Sequence, residues 1–157
     1  MSQIPKFYRI FFLYIDPLIC LSGIYIFFFD HALYISNGTP TAISSFSSTA
    51  LTPFTDYLLT ALGAYSLFVF CMQVLLLHGF KNAANGVNVR IWRIVQFGIL
   101  LIDFGLVYAV WRADERGFWD LKGWDEGEWT NNGILGGVIV VRSAFLLGVG
   151  GVGRVDS

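Results

Sequence analysis

Four long apolar segments, separated by polar connections, constrain this chain more than any other feature. They lie at about 7–29, 57–77, 91–111 and 134–152. A helix needs roughly 20 apolar residues to cross the hydrocarbon layer, where its backbone groups must be satisfied internally. The runs are continuous instead of alternating, which argues against barrel strands. The sequence therefore predicts an all-α, polytopic membrane protein, a single domain over residues 1–157 built as a four-transmembrane-helix bundle.

Composition agrees with this class and narrows the function. Hydrophobic residues make up 55% of the chain and charged residues 13%, and the net charge is −1. Soluble domains carry about 25% charged residues, and a net charge this small gives no reason to expect nucleic acid as a partner. Cys20 and Cys71 both fall inside apolar segments without metal-like spacing. We therefore expect no disulfide framework, no metal site and no cofactor.

The basic residues predict the orientation. Lys6 and Arg9 precede the first apolar run, but Asp16-Pro17 interrupts it, which favours a retained first helix over a cleaved signal. If the N-terminus is cytosolic, that side holds most of the Lys and Arg, and only three lie opposite. The cytosolic set is Lys6, Arg9, Lys81, Arg90, Arg93 and Arg154, and the opposite set is Arg112, Arg116 and Lys122. Cytoplasmic loops carry an excess of such residues, so we expect both termini in the cytosol and the bundle in the endoplasmic reticulum membrane.

Several local features carry expectations of their own. Pro17 cannot donate to the Leu13 carbonyl, so a kink is predicted there. The Ser/Thr-rich first connection is long enough to fold over one end of the bundle. Asn131 and Asn132 are predicted to cap the fourth helix, with a place at the lumenal mouth of the bundle as the alternative. The two histidines, His31 and His78, are expected at the surface.

Three ionisable residues interrupt the apolar segments near their middles: Asp16, Asp103 and Arg142. A charge at the bilayer centre costs at least about 2.5–3.5 kcal/mol, so such residues usually face a protein interior and have a function. At 1.5 Å per residue, all three would fit a slab roughly 6 Å thick. One ionised Asp neutralises Arg142, and the second carboxyl can then keep its proton. The predicted site is thus a base and an acid in one dry cavity, bridged by Arg142.

Further polar residues are candidates for binding substrate beside these three catalytic candidates. Gln96 lies seven residues before Asp103, on the same helix face, and the other candidates are Tyr14, Gln73 and Tyr108. Arg9 is close enough to one end of its helix to extend toward the surface instead. Two structural alternatives remain open: an interhelical clamp formed by Arg142 with either aspartate, or a role for Asp16 in the helix break at Pro17.

An acid and a base without a nucleophilic Ser or Cys suggest a limited set of reactions. These are epoxide opening by an activated water, epoxide-initiated cyclisation and double-bond isomerisation. The limonene-epoxide-hydrolase type of enzyme uses a comparable Asp–Arg–Asp relay on an unrelated fold, which is chemical analogy only. The alternatives are a noncanonical terpene cyclase and a non-enzymatic protein that binds sterol or lipid. The expected partners are a lipophilic small molecule and the bilayer, and a homodimer remains open.

Three stretches carry a resemblance: IPKFYRIFFLYIDPL, RIWRIVQFGILLIDFGLVYAVW and VVRSAFLLGVG. They resemble a family of small four-helix fungal membrane proteins, some from biosynthetic pathways for polyketides and terpenoids. The matching positions are Asp16-Pro17, Asp103-Phe104-Gly105 and Arg142. The resemblance implies an epoxide hydrolase or cyclase that acts on polyene-derived epoxides. The plan is also similar to the emopamil-binding and sigma-2-like group, but the chain has no clear copy of that group's acidic and histidine set, which counts against sterol isomerisation.

Overall fold

The computed structural model describes residues 4–38 and 52–153, and the regular secondary structure in this part of the chain is all helical, with no strand. The Ser/Thr-rich stretch of the first connection and Arg154 lie outside the described residues. Within these residues the α-helices are α1 Lys6–Phe29, α2 His31–Gly38, α3 Pro53–Gly79, α4 Val87–Ala113 and α5 Glu126–Leu146, and a short 3-10 helix, Gly117–Trp119, lies between α4 and α5. The prediction of an all-α protein is confirmed.

Three of these helices, α1, α3 and α4, are long and apolar enough to cross a membrane, which indicates a membrane protein. Helix α5 has 21 residues, but its first turn carries Glu126 and Glu128. It is the helix that corresponds to the fourth predicted segment. Helix α5 is not among the helices that qualify as membrane spans by length and composition, so the described residues contain three such helices.

The bounds of α5 differ from the predicted ones at both ends. Asp125 accepts a hydrogen bond from the Glu128 backbone while the Glu128 side chain accepts one from the Asp125 backbone, so the helix starts at Glu126 and not near 134. Asn131 and Asn132 lie inside the helix, and their predicted capping role is wrong. The helix ends at Leu146 and not near 152, because glycines with φ of +79° (Gly148) and +77° (Gly150) adopt left-handed turns.

Local sequence also sets the starts of α3 and α4. Thr52 accepts a hydrogen bond of 3.2 Å from the Thr55 backbone and Pro53 occupies the first turn, so α3 starts ahead of the predicted segment. Asn85 and Gly86 both have positive φ, 57° and 75°, and turn the chain into α4. A short connection of this kind places the two helices side by side in opposite directions.

Helix α1 contains a π-helical turn, Phe11–Ile15, directly before Asp16 and Pro17. The backbone N–H of Asp16 bonds to the carbonyl of Phe11, five residues back, instead of that of Phe12. Pro17 has no N–H to continue this pattern toward Phe12. The break predicted at Pro17 thus takes the form of a π turn that frees a carbonyl at Phe12.

The helices pack α1 on α3, α3 on α4, α4 on α5 and α2 on α5. The α1–α3 contact is close at Gly63, where an added Cβ would lie 3.0 Å from Phe27 Cβ. At the end of the bundle where α1 begins, a buried aromatic cluster joins α1, α4 and α5. Its rings are Tyr8, Phe12, Trp92 and Phe145, with centroids of Phe12 and Phe145 5.2 Å apart.

His31 is mostly buried, so its predicted surface position is wrong. Its Nδ1 lies 2.8 Å from Asp56 Oδ1, and its Nε2 lies 2.6 Å from the Phe27 carbonyl oxygen. His31 therefore joins the end of α1 to the start of α3. The Nδ1 atom of His78 is also buried, and has no hydrogen-bond partner among the described residues.

Candidate buried acid–base site

Four buried polar residues lie one helical turn from apolar core residues on the same helix faces, since residues three or four apart are neighbours on a helix. The core therefore fixes the direction in which each polar side chain points. The pairs are Phe12 with Asp16, Leu77 with Gln73, Trp92 with Gln96 and Phe145 with Arg142.

Arg142 is the centre of the resulting cluster. Its Nη2 donates to Asp16 Oδ1 and Oδ2 at 2.7 and 2.8 Å, and its Nη1 donates to Asp103 Oδ2. Its Nε donates to Gln96 Oε1 at 3.0 Å. One guanidinium from α5 thereby binds two carboxyls and an amide from α1 and α4. The Arg142 side chain is only 5% exposed.

Asp16 has a second donor, on α3. Gln73 Nε2 donates to Asp16 Oδ2 at 2.6 Å and is also 3.4 Å from the carbonyl oxygen of Phe12. This is the carbonyl that the π turn and Pro17 leave free. The Gln73 amide therefore satisfies a backbone acceptor and a carboxylate together, and it brings a fourth helix into the cluster.

Gln96 has one buried group without a partner. The bond from Arg142 Nε fixes Oε1 toward the guanidinium, and Nε2 has no hydrogen-bond partner among the described residues although Gln96 is fully buried. The indole Nε1 of Trp92 lies one turn earlier on the same helix face. It is also buried and has no hydrogen-bond partner among the described residues. Buried donors are nearly always paired with protein groups or water, so this face is suited to an acceptor oxygen.

The predicted site residues divide into two groups. The structure brings Asp16, Asp103, Arg142, Gln96 and Gln73 into one hydrogen-bonded cluster. Tyr14 and Tyr108 lie outside it. Both residues are exposed, Tyr14 to 59% and Tyr108 to 60%, and their ring neighbours are His78 and Trp111.

Comparison of the sequence with known protein families identifies the family to which this chain belongs. The model of a family described as "Domain of unknown function (DUF7704)" matches residues 1–152. The chain belongs to this family. Neither the curated proteins nor the solved structures gave a match.

The DUF7704 match includes every residue of the cluster. Chemically, the cluster offers a permanent cation, two carboxyls and two amides in surroundings from which water is largely excluded. No three His, Cys, Asp or Glu residues are grouped as metal ligands in the part of the chain that the structure describes. Carboxyls placed in this way are among the groups that can give a proton to a bound molecule or take one from it.

Sequence reasoning missed the Phe12 carbonyl, which belongs to the cluster through Gln73. The signal for it was present, because Pro17 removes one backbone donor from the turn that contains Phe12 and Leu13. That signal predicts an unpaired carbonyl but does not say which of the two residues supplies it. The π turn decides in favour of Phe12.

Proposed function

We propose that this protein is a membrane-embedded enzyme that opens the epoxide of a lipophilic polyketide or terpenoid intermediate, by hydrolysis or by cyclisation. The single observation that carries the proposal is the Arg142 guanidinium bound to two buried carboxyls from different helices. In the proposed arrangement α5 is the fourth span, both termini are cytosolic and the membrane is that of the endoplasmic reticulum. The excess of Lys and Arg on the side of the N-terminus supports this orientation.

The hydrogen bonds support a different role for each carboxyl in this proposal. Asp16 accepts bonds from Arg142 Nη2 and Gln73 Nε2 on its two oxygens, which suits the ionised form. Asp103 accepts one bond, on Oδ2, from Arg142 among the described residues. Its other oxygen can carry a proton. Asp16 is therefore the general base and Asp103 the general acid.

The proposed reaction balances in protons and charge. A water molecule gives one proton to Asp16 as its oxygen forms a bond to an epoxide carbon. The C–O bond of that carbon breaks, and Asp103 transfers its proton to the departing oxygen, which leaves a vicinal diol. In cyclisation, an internal hydroxyl replaces water as the nucleophile. Proton exchange between Asp16 and Asp103 through solvent then restores the starting state.

Gln96 supplies the group that orients the substrate. Its Nε2 is a buried donor beside Arg142 and without a partner among the described residues. An epoxide oxygen is an acceptor without a hydrogen of its own. A hydrogen bond from Gln96 Nε2 would hold this oxygen beside the Asp103 carboxyl.

The test uses membranes that contain the full chain, incubated with a lipophilic polyene epoxide in ¹⁸O-labelled water. Label in a new diol supports hydrolysis, and an unlabelled oxygen ring supports cyclisation. Asp16→Asn and Asp103→Asn each remove a proton-transferring group, worth about 10²–10⁴-fold in rate. The exposed loop residue Asp120 provides the control, since Asp120→Asn leaves the cluster intact. Full turnover in either cluster variant would remove that residue from the mechanism.

A second candidate is a non-enzymatic lipid- or sterol-binding protein in which the cluster is a structural clamp. The observation that favours it is that hydrogen bonds of the cluster join α1, α3, α4 and α5. In this case the protein binds the epoxide but does not convert it, with or without the substitution. Asp16→Asn then lowers the thermal stability of the protein. Retention of intact epoxide by both wild-type and variant protein would support the clamp.

A further inference from the structure

Away from the buried cluster, the first turns of α1 form an open groove of about 510 Å³. Its lining combines two cations with apolar side chains: Ile4, Pro5, Lys6, Arg9, Ile10, Leu13 and Tyr14. We propose that this groove binds an anionic glycerophospholipid, with the headgroup on Lys6 and Arg9 and an acyl chain along α1. This inference rests on the proposed function only in assuming that the protein lies in a membrane, and it does not depend on the opening of an epoxide.

Within the described residues, no acidic side chain pairs with the two cations of the groove. The sequence has no Asp or Glu before Asp16, and neither Lys6 nor Arg9 makes an ion pair within the part of the chain that the structure describes. Asp16 itself is bound by Arg142. Two cations at the membrane interface attract anionic headgroups, so the groove is complementary to a lipid such as phosphatidylserine and not to a zwitterionic one.

The apolar surface next to the groove fits the other end of such a lipid. Exposed side chains continue from the groove along α1 at Ile10, Tyr14, Leu18 and Leu21. Ile10 and Leu21 are about 16 Å apart along the helix axis at 1.5 Å per residue. One leaflet of hydrocarbon is about 15 Å deep, half of the usual thickness. An acyl chain can therefore follow this surface over the full depth of one leaflet.

The experiment is native mass spectrometry of the full-length protein released from mixed micelles that contain equal amounts of phosphatidylserine and phosphatidylcholine. The wild type should retain phosphatidylserine in preference to phosphatidylcholine. Lys6→Gln with Arg9→Gln should reduce this preference about fivefold for each cation lost. Far-UV circular dichroism and thermal unfolding verify that the variant is folded.

Two further variants make the result specific. Lys6→Arg with Arg9→Lys keeps both charges and should keep the preference. Lys81→Gln with Arg90→Gln removes two cations at the same end of the bundle but outside the groove, and should also keep it. The proposal is overturned if the wild type shows no preference, if loss of Lys6 and Arg9 has no effect, or if loss of Lys81 and Arg90 has an equal effect.

Discussion

At the scale of single residues, Arg142 determines the energetics of the bundle interior. A buried charge is costly unless its partners satisfy it in good geometry. The planar guanidinium binds Asp16 through both carboxylate oxygens and uses two further N–H groups for Asp103 and Gln96. A lysine has a single ammonium group and lacks this fork. The cluster therefore requires arginine at this position and not simply a positive charge.

Removal of this cation should destabilise the protein strongly. Arg142→Gln leaves Asp16 and Asp103 buried without their cation, a loss of about 3–5 kcal/mol for a broken buried pair. The triple variant Asp16→Asn, Asp103→Asn, Arg142→Gln has no buried charge, so its stability should return most of the way to that of the wild type. Thermal unfolding in detergent micelles measures both. A triple variant as unstable as Arg142→Gln would show that charge burial is not the dominant cost.

How far the sequence predicts the site also depends on individual positions. Asp16, Asp103 and Arg142 could be placed together because equal depth in three helices is readable from spacing, and Gln96 because it lies seven residues from Asp103. Tyr14 lies two residues before Asp16, and residues two apart do not share a helix face. Tyr108 lies five residues after Asp103, about 140° around the helix. Spacing along the chain was therefore sufficient to place the charged residues and Gln96 in the cluster. The two tyrosines are absent from it because their side chains leave the helix in other directions.

At the scale of secondary-structure elements, the π turn in α1 and the Gln73 side chain form one unit. Pro17→Ala restores an N–H that can bond to the Phe12 carbonyl. Gln73→Leu should cost about 1–3 kcal/mol in the wild type, because it leaves buried acceptors unpaired. Its cost should fall by at least about 0.5 kcal/mol in the Pro17→Ala background. Equilibrium unfolding of the four proteins of this double-mutant cycle measures the difference.

The cycle needs a control for general destabilisation. Gly98→Ala on α4 meets no atom within 4 Å of the added Cβ. Combined with Gln73→Leu, it should be additive within about 0.3–0.5 kcal/mol. Additivity in the Pro17→Ala cycle as well would show that Gln73 does not stabilise the π turn.

The contact between α1 and α3 makes a separate prediction at Gly63. A Cβ there would lie 3.0 Å from Phe27 Cβ and 3.2 Å from the Phe28 ring, so a larger side chain must push the helices apart. Gly63→Leu should destabilise by about 1–3 kcal/mol, the usual cost of overpacking. An added Cβ at Gly98 meets no atom within 4 Å. Gly98→Leu should therefore unfold at nearly the wild-type temperature. Equal losses in both variants would exclude close packing as the reason for Gly63.

The ends of the helices show where a hydropathy pattern is insufficient. An apolar run continues through residues 147–152, but the left-handed glycines there stop α5 at Leu146. In the other direction, α5 extends through polar residues to Glu126 because the Asp125–Glu128 capping box stabilises its start. Hydropathy reports which residues can lie in lipid, whereas caps and backbone conformation decide which residues are helical.

At the scale of the whole molecule, the number of membrane crossings decides which side of the bilayer each end of the bundle faces. Helices α1, α3 and α4 qualify by length and composition. Helix α5 is tied to α1 and α4 at mid-depth through Arg142 and to the aromatic cluster through Phe145. An arginine bound to Asp16 inside the bundle cannot lie on the membrane surface while α1 spans the bilayer. On this ground we propose that α5 spans it as well, as the fourth span.

Labelling with a membrane-impermeant maleimide tests this expectation directly. Single cysteines replace Asn82, Lys122 or Val149 in a variant that lacks Cys20 and Cys71, expressed in sealed microsomes. With four spans and a cytosolic N-terminus, Asn82→Cys and Val149→Cys react with the maleimide in intact vesicles. Lys122→Cys reacts only after the vesicles have been permeabilised. With three spans, Val149→Cys would instead match Lys122→Cys, because α5 would stay on the lumenal side. The Val149 result therefore separates the two arrangements, while Asn82 and Lys122 define the two sides of the membrane.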